Sequence, residues 1–157
     1  MTVKHGAIGV GLLLFLDGRI LTVKELRSKP EIGKEAGMVS FPLETLKDKD
    51  TNPDGTIKRL LWEELGLLPN QVNFWGISPS RFNLFPERKD ITTFYGVAKF
   101  LGNPGHLFIP KDDDIAISGW KNPWELLSTE KSGVRIEVHP ILNDFLATRT
   151  ENFPLWD

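Results

Sequence analysis

Arg59-Leu60-Leu61-Trp62-Glu63-Glu64-Leu65-Gly66-Leu67 is the stretch on which the reading of this chain turns. Ile57, Leu61 and Leu65, with Leu60 and Leu68 beside them, recur at the three- and four-residue spacing of one helix face. Asn52-Pro53 ahead of them offers an N-cap and a proline at the first helical position, and Gly66 followed by Pro69 stops the segment. The spacing therefore predicts a short helix from about Pro53 to Leu65, with Leu61 and Leu65 against a core. On that helix Arg59 can reach Glu63, and Glu63 and Glu64 can edge one cleft although adjacent side chains point about 100° apart. Two carboxylates with a cation to hold them suit a hard divalent ion, because Mg2+ binds through one or two carboxylates plus substrate phosphates. The same Arg-to-Glu spacing also occurs on ordinary exposed helices, where it contributes about 0.3–0.5 kcal/mol and implies no function.

Working outward, the chain opens with an apolar run, Ala7 to Leu16, then Asp17-Gly18, then the alternating Arg19 to Val23, which is the pattern of a β-hairpin. Glu25 to Ala36 shows neither period and holds Pro30 and Gly33, so it reads as a long loop before a short strand at Met38 to Leu43. Thr45 to Thr51 is polar and without apolar period. Beyond the helix, Val72 to Ile77 and Ile91 to Leu101 are strand-like, and Gly102-Asn103-Pro104-Gly105 is a turn by composition. Asn122-Pro123 repeats the capping device before Trp124 to Leu127, and His139 to Arg149 carries Ile141, Leu142, Phe145 and Leu146 at helical spacing. This order of strands, helix, strands and helix predicts an α/β fold with a mixed sheet, in a single domain over residues 1–157.

Composition excludes several classes. With 19 basic against 21 acidic side chains and no long run of either sign, long nucleic acid is not an expected partner. The absence of cysteine removes disulfides, thiol catalysis and thiolate metal sites, and fits a reducing compartment. The apolar run near the start is too short to span a bilayer and runs straight into Asp17-Gly18-Arg19, so no membrane partner is expected and the chain reads as cytoplasmic. Arg81, Arg88 and Lys89 lie near Phe82, Phe85 and Phe94, a mixture that could bind a phosphate and stack a base, or simply form a basic loop over a core. Arg81 and Arg88 are the candidate substrate-binding residues. The three histidines have no metal-like spacing. Asp112 to Asp114 reads as a solvated turn before a strand, the alternative being that Asp113 or Asp114 supplies a further carboxylate.

The central stretch resembles the Nudix box, in which a Gly, five residues, a Glu and seven residues precede Arg-Glu-aliphatic-any-Glu-Glu-any-Gly-aliphatic. Arg59, Leu61, Glu63, Glu64, Gly66 and Leu67 occupy their places in that pattern, and Gly37-Met38-Val39-Ser40-Phe41-Pro42 is similar to the strand end that normally enters it. The resemblance implies an α/β/α sandwich, dependence on Mg2+ (or Mn2+), and hydrolysis of a small-molecule diphosphate such as a nucleoside diphosphate derivative. It implies catalytic roles for Arg59, Glu63 and Glu64, and a metal held by Glu63 and Glu64 with a remote carboxylate, Asp113 or Asp114, of which Asp114 is the assigned ligand. The pattern is also broken: Thr51 and Thr45 stand where the box has Glu and Gly, Leu43-Glu44 replaces the usual Gly-Gly, and Leu60 replaces the carboxylate after the Arg. Asp50 lies one residue from the place of the absent Glu. The alternative implied by those departures is a non-catalytic Nudix-like module that binds a nucleotide or another protein.

Overall fold

A computed structural model describes residues 8–29, 34–45, 53–83 and 92–152. β1 (Ile8–Leu16) and β2 (Arg19–Glu25) form the expected hairpin, joined at Asp17-Gly18, where both residues take positive φ. They pair only at the turn, through Phe15 with Ile20 and Leu16 with Arg19, and then diverge. β1 runs parallel to β6 (Thr92–Phe100) from Ile8 to Phe15, while β2 pairs antiparallel with β7 (Ile115–Lys121). β5 (Val72–Ile77) lies antiparallel on the far side of β6.

The gap between β1 and β2 is filled by the next piece of chain. β3 (Val39–Ser40) pairs with β2, and β4 (Leu43–Thr45) pairs with β1. The single strand expected over 38–43 is thus two short ones. Pro42 between them has no N–H to give a ladder, but its carbonyl accepts from Leu12 N at 2.9 Å as the chain crosses from one strand to the other.

The sheet is buried on both faces. Along β1, Val10, Leu12 and Leu14 enter one apolar layer while Leu13 and Phe15 enter the other, as the two-residue period of a strand requires. The first layer holds Ile57, Leu60, Leu61 and Leu65 from α1 (Pro53–Leu60) and the wider π turn Leu61–Leu65 that continues it. The second holds Leu126 of α2 (Pro123–Ser128) and Val138, Ile141, Leu142 and Phe145 of α3 (Val138–Asn152). The architecture is the expected α/β/α sandwich around a mixed sheet. Asn122 caps α2 as its sequence suggested, accepting from Trp124 N at 2.8 Å. The same device at Asn52 lies outside the described residues, as do Asp50, Thr51 and the segment 84–90. Among the described residues no helix is long and apolar enough to cross a membrane.

Leu61 is 1% exposed at the centre of the first layer. Leu61→Ala is therefore expected to cost about 2–5 kcal/mol in urea unfolding. A loss below about 1 kcal/mol would show that this face does not anchor the sheet.

Candidate functional site

The site is built where the first helix ends. Its last turn widens at Leu61–Leu65, and Gly66 then takes a left-handed conformation, φ 68°, so that its N–H bonds to the carbonyls of Leu61 and Trp62. Such π turns recur at functional sites because they re-aim the side chains they carry. Gly66 is required on two counts. A residue with a side chain is strained at this φ, and a Cβ here would stand 2.5 Å from the Ile109 carbonyl oxygen.

That close approach lets the segment 109–112 dock on the open end of the helix. Ile109 N donates to Leu65 O at 3.3 Å, and Lys111 N and Asp112 N donate to Glu63 O at 2.7 and 3.0 Å. Lys111 also lays its ammonium over the Trp62 ring, 5.0 Å from the centroid. The docking carries the Asp112 carboxylate into the surroundings of Glu64. Glu64 is 6% exposed, and its Oε2 is buried with no hydrogen-bond partner. Its pKa is raised to about 8, first by burial and then by the negative charges of Asp112, Glu44 and Glu25, with the Lys34 ammonium opposing them.

Behind Glu64 lies a buried set of charges at the mouth of the β1–β2 gap. Glu25, at the end of β2, faces Arg135 Nη1 at 3.4 Å and Lys34 Nζ at 3.7 Å. Arg135 Nε stands 3.2 Å from Glu137, whose same oxygen accepts from Ser40 Oγ at 3.0 Å. Arg135 is fixed there by its own backbone, which donates to Val39 O at 3.0 Å. None of Glu25, Arg135 and Glu137 is more than 3% exposed.

The residues singled out by sequence are distributed unevenly. Glu63 and Glu64 lie on the π turn, Glu63 half-buried with its carbonyl holding the docked loop, and Arg59 is half-buried on the last turn of α1. Asp114 does not join them. Its two carboxylate oxygens stand 3.2 Å from Arg27 Nε and 3.2 Å from Lys29 Nζ, and it is Asp112 whose charge acts on Glu64. Asp112 Oδ1 accepts from Asp114 N at 2.8 Å, while the Asp114 carboxylate faces the two cations. Arg81 is exposed with its guanidinium 5.6 Å from the Phe94 centroid and is not among the charges acting on Glu64. Arg88 lies outside the described residues. Leu60, which takes the place of a carboxylate in the motif, is wholly buried in the first apolar layer.

Sequence reasoning did not single out Glu25, Lys34, Arg135 and Glu137, and it named Glu44 and Asp112 without assigning either to the site. Two signals were present. Glu25 shares the buried face of β2 with Leu21 and Val23, and Glu44 stands where the motif has glycine. Among the described residues no group of three or more His, Asp or Glu side chains could hold a metal ion unaided. A cation shared with a phosphate ligand nevertheless fits the chemistry here, because the Glu64 oxygen is buried and unpartnered and feels the negative charge of Asp112, Glu44 and Glu25.

Solved structures similar to this one are Nudix proteins. A Nudix hydrolase from Nitrosomonas europaea has a TM-score of 0.67 at 16% identity, over 97% of this chain and 94% of that one. A bifunctional NMN adenylyltransferase/ADP ribose pyrophosphatase from Francisella tularensis, complexed with AMP and a Mn ion, has a TM-score of 0.66 at 18% identity, over 94% of this chain and only 43% of that one. The Nudix domain of Shewanella oneidensis NrtR, complexed with ADP ribose, has a TM-score of 0.56 at 11% identity, over 93% of this chain and 90% of that one. No family model and no curated protein sequence matches the chain. The fold is the Nudix fold.

Glu64 also sets a pH dependence of stability. Its folded pKa of about 8 lies above the ordinary 4.5, so the folded protein holds a proton that the unfolded chain releases between those values. Its contribution is fully present below pH 4.5 and is lost as pH rises through 8. Relative to Glu64→Gln, the wild type should lose up to about 1.4 kcal/mol per pH unit across that window in urea unfolding. Parallel stability curves for the two proteins would show that Glu64 titrates as an ordinary carboxyl.

Proposed function

We propose that this chain is a Nudix-type hydrolase that cleaves the diphosphate of a nucleoside diphosphate derivative or a related small molecule with the help of Mg2+ or Mn2+. The observation that carries the reading is Glu64, a buried carboxylate with an unpartnered oxygen beside Asp112 and Glu44 at the end of the helix of a Nudix fold. A group held that way raises the energy of the empty site, and a cation lowers it. Glu64 and Asp112 would hold the ion, with Glu63 on the same turn, and the remaining ligand positions would fall to water and diphosphate oxygens. Bound there, a divalent ion supplies neutralisation of the diphosphate charge and a lowered pKa for an attacking water.

The chain's own residues do the rest. Glu64 would have to give up its proton to hold a cation, so affinity for the cation should rise with pH through about 8. Asp112, tied to the helix by its backbone N–H, keeps its carboxylate on the site without a long side chain to order. Arg59, four residues before Glu63, would steady that carboxylate. Asp114 is held by Arg27 and Lys29 and serves as the pin that ties the 26–29 segment to the loop. Arg81 and Arg88 remain candidates for the part of the substrate beyond the diphosphate.

A second reading, a ligand-binding domain without catalysis, is favoured by Leu60, because the place of one motif carboxylate is a core position. A panel of nucleotide sugars, dinucleotides and nucleoside triphosphates, assayed with Mg2+ and with Mn2+ for release of phosphate or nucleoside monophosphate, separates the two. Turnover that Glu64→Gln lowers by about 10²-fold or more supports the hydrolase. Binding of a panel member without any turnover supports the binding domain. Leu60→Glu distinguishes them no further. It is expected to lower stability by about 2–5 kcal/mol through a buried unpaired carboxyl and to leave turnover no higher, as measured by unfolding and assay of one sample.

A further inference from the structure

Lys34 lies over the acidic end of the site and has no place in the chemistry above. Its backbone is anchored to the facing segment, with Lys34 N donating to Lys29 O at 3.1 Å and Lys29 N to Lys34 O at 2.7 Å. From that anchor the side chain, 20% exposed, reaches inward to stand 3.7 Å from Glu25 Oε2. The neighbouring cations of the segment point elsewhere, Arg27 and Lys29 both to Asp114. Lys34 is also the cation that favours the ionised form of Glu64 against the pull of Asp112, Glu44 and Glu25.

We propose that Lys34 is a tethered cation of the site, whose ammonium opposes a free divalent ion and attracts a diphosphate, so that the metal is taken up together with the diphosphate and not ahead of it. The proposal rests on the hydrolase reading of the same carboxylates. An ammonium inside a partly buried acidic pocket already supplies part of the positive charge that the carboxylates need, and a dication entering alone meets its repulsion at an effective dielectric well below that of water. A metal–diphosphate complex reverses the balance, since its oxygens carry negative charge toward a flexible ammonium with three donors. Lys34 is free to follow those oxygens. Glu25 keeps Arg135 at 3.4 Å on its other oxygen when the lysine turns away.

The test is calorimetry on the full chain with two probes, Mn2+ alone and the preformed Mn2+–pyrophosphate complex, for wild type, Lys34→Met, Lys34→Arg and Glu64→Gln. Lys34→Met should bind Mn2+ alone about tenfold more tightly than wild type and the complex about tenfold more weakly. Lys34→Arg, which keeps the charge, should follow wild type on both probes. Thermal unfolding of each sample checks folding, and Lys34→Gln replaces Lys34→Met if the latter is unfolded. If removing Lys34 leaves affinity for Mn2+ alone unchanged or lower, or leaves the complex as tightly bound, while Glu64→Gln still weakens binding, the proposal is overturned and the metal-site reading stands. If no variant binds either probe, both fall.

Discussion

The docking of residues 109–112 on the open carbonyls at the end of the first helix is the contact on which the site depends. A helix leaves its last carbonyls without partners, and here Glu63 O and Leu65 O receive theirs from a segment more than forty residues away in sequence. Each such hydrogen bond contributes only about 0.5–1.5 kcal/mol net, but leaving the carbonyls buried and unpaired would cost more than that. The contact therefore fixes the loop as firmly as it completes the helix. Gly66 makes it possible, because any larger residue would put a carbon against the Ile109 oxygen. The same backbone that satisfies the helix carries the Asp112 carboxylate to Glu64, so two like charges are brought together as a by-product of ordinary helix capping.

Burying like charges is unfavourable, and the chain offsets it with cations placed by different elements. β1 and β2 part after their turn, and the wedge of β3 and β4 between them opens a mouth in which Glu25, Glu44, Ser40, Arg135 and Glu137 converge. Arg135 serves two carboxylates at once, which suits a planar guanidinium with several donors better than an ammonium. Glu64 is left with an unpartnered oxygen behind this arrangement. Arg135 faces one oxygen each of Glu25 and Glu137, while the second oxygen of both, like Glu64 Oε2, is buried without a hydrogen bond, and burial among these charges raises the pKa of Glu64. That is the pattern expected where a ligand supplies the missing charge.

The fold was legible in the sequence where local rules decide. The Asp17-Gly18 turn, the apolar face of Ile57, Leu61 and Leu65, the Asn122-Pro123 cap and the apolar period of α3 each follow from backbone preference and burial alone. Local rules failed at Pro42 and at Leu61–Leu65. A missing N–H splits one expected strand at the first, and at the second the turn widens to meet Gly66 and the docked loop. The site was legible only as far as one helix reaches. Glu63 and Glu64 could be named because they are neighbours in sequence, whereas Asp112 could not be told from Asp114. Their difference arises from a turn in which Asp112 accepts the Asp114 N–H while the Asp114 carboxylate is taken by Arg27 and Lys29.

The same distinction bears on what the broken motif means. Leu60 looks like a lost ligand when the helix is read alone, because the motif has a carboxylate there. In the folded chain it is a core residue, sealed in the layer that holds Leu61 and Leu65, and the charges that act on Glu64 come from β2, β4 and the docked loop. Glu44 in place of a glycine and Leu60 in place of a glutamate are then not two independent losses. Leu60 takes a carboxylate from the helix, and Glu44 adds one on the strand, where its charge acts on Glu64. A site assembled from separate elements can exchange contributors while keeping its charge, so the erosion of a linear motif measures how the carboxylates are supplied and does not by itself measure whether enough of them remain.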